Sequence, residues 1–199
     1  RGTEPAFHRV VGPGAGRVGG METVRIYYDD ILAAAVLAHN LGAMLAGVET
    51  KPLILCIGSE RHLLDSLGPL TGTMLREMVP DLDVIGTLEN PVHARNMVPT
   101  LKRLEQLNPG QVVIAVDASV GSQNEIGLLQ LRPGSLVPGK ALARNLPAAG
   151  DYALTGVVDV RASRSGIRHR PAGLALVYNM ARVISQSIAE FYQFKYGFQ

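Results

Sequence analysis

The stretch from Leu53 to Met78 constrains the fold more than any other part of the chain. It opens with a short apolar run, Leu53 to Ile57, which is bounded by Gly58 and is typical of a buried strand. Farther along, apolar residues recur at intervals of three and four, which predicts a helix that extends through Met78. The loop between strand and helix carries Asp65. Because α/β proteins bind ligands at the carboxyl ends of parallel strands, Asp65 is the first candidate for a functional residue.

Asp65 also lies close to the predicted start of this helix. Gly68 and Pro69 indicate where the helix begins, since proline is favoured at the first helical position. The N-terminus of a helix carries partial positive charge, which favours an ionised carboxylate beside it. The loop is therefore suited to holding a charged Asp65.

Strands and helices alternate after this point, which is the signature of a parallel sheet. Leu82 to Leu88 is predicted as a strand, about Pro99 to Leu107 as a helix, and Val112 to Val116 as a central buried strand that ends in Asp117-Ala118-Ser119. The pattern predicts a three-layer α/β/α domain with helices on both faces of a mainly parallel sheet.

The remaining segments extend this plan. We predict a helix from Asp29 or Asp30 to about Ala46, strands at Ile126 to Leu131 and Tyr152 to Val160, and a last helix with apolar residues from Leu174 to Phe191 on one face. Core packing or a dimer seam would explain that face, so a homo-oligomer stays open. Residues 1–20 are rich in Gly, Arg and Pro and are predicted to be a disordered tail before a single domain of residues 21–199.

Composition excludes several classes of protein. The 199 residues have a net charge of +2 without a dense Lys/Arg run between aromatic residues, so no nucleic-acid partner is expected. No apolar stretch is long enough to span a bilayer, and the single Cys56 fits a reducing compartment, so a cytoplasmic protein is expected. The glycine patterns that partly fit nucleotide-binding motifs lack a required strand or a Ser/Thr, so no cofactor is predicted.

The edge of the predicted sheet brings together side chains suited to hydrolysis. Asp65 and Asp117 follow two strands of this sheet and are the catalytic candidates. Two carboxyl groups close together share a proton, so one can activate water while the other protonates a leaving group. Two aspartates that only cap loops are the alternative.

Other residues at the same edge are candidates for a supporting or substrate-binding role. They are Gly58, Glu89, His93 and Ser119. Asp65, Asp117 and His93 have the ligand types of a mixed oxygen and nitrogen metal site, but their spacing matches no tight metal motif, so no metal is predicted.

Several motifs resemble one known family. They are Cys56-Ile-Gly-Ser-Glu-Arg, Asp65-Ser-Leu-Gly-Pro, Gly86-Thr-Leu-Glu-Asn-Pro-Val-His-Ala, Ala115-Val-Asp-Ala and Leu146-Pro-Ala-Ala-Gly-Asp-Tyr. In this order, from about Leu53 to Val160, they resemble the YyaC-type sporulation proteins of endospore-forming bacteria. That family is similar to the spore germination protease, an atypical aspartic peptidase, and more distantly to the hydrogenase maturation endopeptidases. The resemblance implies a phosphorylase/hydrolase-like fold of the kind found in those endopeptidases.

The resemblance also implies roles for individual residues. Asp65 matches the first catalytic aspartate of the germination protease, in its Asp-x-Leu-Gly-Pro motif, and Asp117 matches the second. The implied function is a sporulation-associated peptidase of the cytoplasm, with a protein substrate such as a spore protein. The sequence departs from the family at His62-Leu63-Leu64, where a Ser-Thr-Gly-like stretch is common, and the chain is much shorter than the germination protease. A non-catalytic sporulation factor that binds a protein partner and a metal-reading maturation endopeptidase are the alternatives.

Overall fold

The computed structural model describes residues 22–138, 146–160 and 173–197. The predicted tail at residues 1–20 lies outside these ranges. In chain order the elements are β1 (Val24–Tyr27), α1 (Ala33–Met44), β2 (Leu53–Cys56), α2 (Leu67–Met78), β3 (Val84–Ile85), α3 (Met97–Leu107), β4 (Val113–Gly121), β5 (Leu128–Pro133), β6 (Tyr152–Val160) and α4 (Leu174–Tyr196). Short 3₁₀ turns occupy Leu63–Asp65 and Gln123–Glu125.

The described strands form one six-stranded sheet in the order β1-β5-β6-β4-β2-β3. The pairs β3–β2, β2–β4 and β4–β6 are parallel, and β5 runs antiparallel to both β6 and β1. Five strands therefore run in one direction and only β5 in the other. The prediction of a mainly parallel α/β sheet is confirmed.

Helices cover both faces of the sheet because alternate strand residues point to opposite sides. Ile54 and Cys56 of β2 belong to the larger core, which α1, α2 and α4 complete. Leu53 and Leu55 belong to a smaller core with Met97 and other residues of α3. The three-layer arrangement follows, and we refer below to the α4 face and the α3 face.

Helices α1, α2 and α3 begin within about four residues of the predicted positions, and α4 begins at Leu174, as predicted. Helix α2 begins at Leu67, so Pro69 is its third residue, where the proline still removes no intrahelical hydrogen bond. Helix α1 begins at Ala33, after a turn in which the Asp30 carboxylate accepts a hydrogen bond from the Leu32 N–H at 2.8 Å. Helix α3 begins at Met97. Only α1 begins later than predicted, because the residues before Ala33 form a turn in which the Asp30 side chain competes with the helix.

The predicted strands differ from the observed ones in length. The strand expected at Leu82 to Leu88 is only Val84–Ile85. The central strand was predicted to end before Asp117, which was wrong, since β4 continues to Gly121. It continues because β6 stays paired with it as far as Val160. Strand β1 was not predicted, since its four residues are stabilised mainly by pairing with β5, about a hundred residues away.

Helix α2 lies unusually close to the end of β2. A Cβ at Gly68 would overlap the carbonyl oxygen and the backbone nitrogen of Ile57. Only glycine allows the first turn of the helix to approach the backbone of the neighbouring strand so closely. This approach explains the glycine of the Asp65-Ser-Leu-Gly-Pro motif.

We expect Gly68→Ala to lower the free energy of unfolding by about 1–3 kcal/mol, because the added methyl group meets rigid backbone. Gly42→Ala in α1 is the matched control, since nothing lies within 4 Å of its added Cβ. In a helix this control is expected to gain about 0.5–1 kcal/mol. Urea denaturation measures both, and equal stabilities of the two variants would contradict the close approach.

Candidate functional site

The loop after β2 is closed on itself by backbone hydrogen bonds. The Ser59 N–H donates to the Asp65 carbonyl oxygen at 2.9 Å, and the Asp65 N–H donates to the His62 carbonyl oxygen at 2.8 Å. The Gly58 N–H donates to the Val92 carbonyl oxygen at 2.8 Å, which ties the loop to the segment that follows β3. The half-buried Asp65 is thus held at the carboxyl end of β2.

Gly58 sits directly against the backbone of Asp65. Its φ of 145° lies in a region that other residues rarely adopt, and a Cβ there would overlap the Asp65 carbonyl oxygen. The backbone of Asp65 can therefore reach this position only if residue 58 is glycine. A supporting role for Gly58 has this geometric basis, while a role in binding substrate stays a prediction.

Asp117 lies inside β4, beyond the last strand residue of β2. Its alternation with Ala115 places it on the α3 face, and it is only 7% exposed. One of its carboxylate oxygens accepts a hydrogen bond from the Ala118 N–H at 2.8 Å. Past Cys56, the last residue of β2, the chain stays beside β4, since the Ile57 N–H donates to the Val116 carbonyl oxygen at 2.8 Å.

Burial raises the pKa of Asp117 well above its usual range, and the nearby negative charge of Asp65 raises it further. The hydrogen bond from the Ala118 N–H acts in the opposite direction but does not compensate. Asp65 and Asp117 therefore lie close enough for their charges to interact. The structure brings the two predicted catalytic candidates together.

Glu89 and His93 occupy the same edge but have other neighbours. Glu89 is exposed in the turn after β3. The Nδ1 atom of His93 accepts a hydrogen bond from the Arg95 N–H at 3.3 Å. The pKa of the Glu60 carboxyl is lowered, first by a hydrogen bond from its own backbone and also by the charges of Arg61 and His93. Glu60 was not a candidate from the sequence, because its interaction with the charge of His93 joins two segments that are distant in the chain.

No three or more His, Cys, Asp or Glu side chains within the described ranges are grouped so that they could hold a metal ion. Asp65, Asp117 and His93 are all within those ranges, so they do not form such a group. Cys56 is buried in the α4-face core, where burial raises the pKa of its thiol and keeps it protonated.

Ser119 follows Asp117 on the same face of β4 and is half-buried. The pairing of β4 with β6 shifts between Ser119 and Val120, so the strand is irregular just after the aspartate. Thr155 of β6 is paired directly with Asp117 and is half-buried too. The sequence predicted the strand that carries Thr155 but had no signal for its register, which depends on tertiary pairing.

A family model described as "Protein of unknown function (DUF1256)" matches residues 25–187. The chain belongs to this family. The matched range includes all six candidate residues, Gly58, Asp65, Glu89, His93, Asp117 and Ser119. The family resemblance seen in the sequence is confirmed, while its link to the spore germination protease stays a prediction.

Two individual proteins are similar to this family member. The uncharacterized protein YyaC of Bacillus subtilis (strain 168) is 36% identical over 172 residues, which are 84% of each chain. The crystal structure of a NiFe hydrogenase maturation protease, HycI from Thermococcus kodakarensis KOD1, aligns over 77% of this chain and 99% of that chain, with a TM-score of 0.48 and 19% identity. That likeness is too distant to transfer a fold or an activity.

The helices in the described ranges include none with the length and hydropathy that a membrane crossing requires.

We expect Asp117→Asn to stabilise the protein at high pH. The burial of Asp117 does not destabilise the fold while the carboxyl group is protonated, which holds fully below the pKa of an unfolded aspartate, about 3.9. Stability is lost as the pH rises through the raised folded-state pKa, because the buried group then ionises. Asparagine cannot ionise and keeps an oxygen for the Ala118 N–H. The gain in the free energy of unfolding should therefore be larger at about pH 8 than at about pH 4.

Urea denaturation across this pH range measures the effect. Asp29→Asn, at an exposed position, is the control for the loss of one surface carboxylate. A variant whose stability follows that of the wild-type protein in parallel at every pH would contradict the raised pKa of Asp117.

We also expect Asp65→Asn to lower the pKa of Asp117 without restoring its ordinary value. The substitution removes the like charge, whereas burial, the larger cause, stays. A ¹³C NMR titration of the Asp117 carboxyl carbon measures the change. Glu89→Gln, which removes an exposed carboxylate from the same edge, is the matched control. An unchanged pKa in Asp65→Asn would show that the two aspartates are not neighbours.

Proposed function

We propose that this protein is a peptidase of sporulating cells in which Asp65 and Asp117 activate water. The observation that carries the proposal is the raised pKa of the buried Asp117, caused first by burial and then by Asp65. Pairs of carboxyl groups with shifted pKa values at the carboxyl edge of an α/β sheet are candidates for catalysis. A general acid must hold a proton near pH 7, whereas an ordinary carboxyl group has released its proton below that pH.

The pair can divide the work of peptide hydrolysis. Asp65, ionised and half-buried, takes a proton from water as its oxygen attacks the scissile carbonyl carbon. Asp117, protonated because it is buried, gives its proton to the amine nitrogen as the carbon–nitrogen bond breaks. Asp65 then holds the proton of the water, and its transfer to Asp117 restores the starting state. One water molecule is consumed and no external cofactor is required.

The substrate we propose is a protein of the sporulating cell or the spore. The resemblance of the sequence motifs to the sporulation proteins supports this choice. The proposed location is the cytoplasm of the sporulating cell or the spore. A metal-dependent maturation endopeptidase receives less support, because the described residues lack a three-ligand cluster.

The decisive experiment is a cleavage assay on a spore protein extract, read by mass spectrometry of new peptide termini. We expect Asp65→Asn to abolish the cleavage because the general base is lost, while the fold survives because Asp65 is only half-buried. Glu89→Gln should cleave like the wild-type protein. The assay is run with added Zn²⁺ or Ni²⁺ and with a chelator.

The outcomes separate the alternatives. Cleavage by a folded Asp65→Asn variant would remove the catalytic assignment. Cleavage that requires an added metal ion would favour the metal-dependent endopeptidase. If neither the wild-type protein nor the variant cleaves anything while both are folded, a non-catalytic factor that binds a protein partner becomes the better interpretation.

A further inference from the structure

Asp117 is the first member of a row of polar side chains that crosses four strands. The register pairs Asp117 of β4 with Thr155 of β6, Thr155 with Gln130 of β5, and Gln130 with Arg25 of β1. We call these four residues the polar row. Paired residues of neighbouring strands lie side by side, so the row runs perpendicular to the strands.

All four side chains of the polar row lie on the α3 face of the sheet. Their sequence neighbours Val116, Leu154, Leu131 and Ile26 belong to the core of the α4 face. Since successive side chains point to opposite faces, the polar row points away from that core. Thr155, Gln130 and Arg25 are partly exposed, so the row is accessible from outside.

The length of the polar row suits a short piece of extended polypeptide. Neighbouring strands lie about 4.8 Å apart, so three steps from Asp117 to Arg25 span about 14 Å. An extended chain advances about 3.4 Å per residue, so about four residues would cover that distance. A peptide lying along the row would place its end beside Asp117 and Asp65.

The polar groups of the row suit a peptide main chain. The Thr155 hydroxyl and the Gln130 amide can each donate and accept hydrogen bonds, as the alternating N–H and C=O groups of a peptide require. The Nε atom of Arg25 is buried and lacks a hydrogen-bond partner among the described residues. The Arg25 side chain is 18% exposed, so a ligand carbonyl would meet its exposed N–H groups rather than the buried Nε atom.

The far end of the row is held in place. The Arg25 guanidinium forms an ion pair with Glu125. Glu125 also accepts hydrogen bonds from the backbone N–H of Ser122 at 2.9 Å and from its hydroxyl at 3.0 Å, within a capping box. A side chain fixed by such contacts binds with a smaller loss of conformational entropy.

We propose that Thr155, Gln130 and Arg25 are substrate-positioning residues that bind the main chain of an extended polypeptide and place one of its peptide bonds beside Asp117. This rests on the proposed function, because it names the binding subsite of the same pair of aspartates. The three residues bind and orient the substrate and take no part in proton transfer.

Two variants test the subsite in a cleavage assay. Gln130→Ala removes the central amide, and Thr155→Val removes a hydroxyl with little change in shape. The assay uses a peptide that the wild-type protein cleaves. We expect each variant to raise KM about fivefold to tenfold, because one hydrogen bond to the substrate is lost. The change in kcat should be smaller. Gln193→Ala, at an exposed site on α4, is the matched control and should leave KM unchanged. An unchanged KM in both test variants would overturn the subsite while leaving the peptidase in place.

A binding experiment keeps the subsite testable if no cleavage occurs. Immobilised Asp65→Asn protein, alone or combined with Gln130→Ala, Thr155→Val or Gln193→Ala, is exposed to a degenerate mixture of synthetic eight-residue peptides. Retained peptides are quantified by mass spectrometry, and thermal melting checks that each variant is folded. Retention that falls about fivefold or more with either row variant but not with Gln193→Ala supports the subsite even without peptidase activity. Equal retention by all four proteins, or no retention by any, overturns it.

Discussion

The close approach of α2 to the end of β2 is the contact on which the candidate site depends. Gly68 lets the first turn of the helix lie against the backbone of Ile57. Asp65 directly precedes that turn, and Gly58 lets the backbone of Asp65 pack on the strand end. Two positions without a side chain thus bring one carboxylate against the sheet. Larger residues there would push the loop outward and separate Asp65 from Asp117.

The burial of Asp117 costs free energy, and packing alone does not explain why a carboxyl group occupies this position. A carboxyl group that is 7% exposed and lies beside a second carboxylate is disfavoured in its ionised form. An apolar residue at this position would extend the continuous apolar run of β4 and avoid that cost. The arrangement instead raises the pKa of a carboxyl group beside Asp65, which is the direction that general acid catalysis at neutral pH requires.

The two faces of the sheet serve different purposes around this pair. The α4 face is a continuous apolar core in which Leu154, Leu131 and Ile26 are almost fully buried. On the α3 face, the apolar core contains Ala115 and Ala153, and the register then continues into Asp117, Thr155 and Gln130. One face therefore stabilises the fold, and the other leaves polar groups available beside the aspartates.

Local patterns in the sequence determined the elements that carry the site. The apolar run at β2, the helical spacing of α2 and the strand Tyr152–Val160 were predicted closely, because periodicity reports which face of an element is buried. The aspartates were selected because each follows or lies near the end of a strand. We inferred from the parallel sheet that Asp65 and Asp117 interact. The raised pKa of Asp117 depends on burial, which a sequence does not display.

Tertiary structure alone decided how the elements are aligned. The extension of β4 past Asp117, the pairing of β1 with β5, and the alignment of Thr155 and Gln130 with Asp117 all depend on hydrogen bonds between distant strands. The loop after β2 and the segment that carries His93 come together through the pairing of Ile57 with Val92. The sequence by itself determined most of the segments that form strands and helices, apart from β1, and which residues are the candidates for the site. Register and burial required the folded chain, because both are properties of contacts between residues that are far apart in sequence.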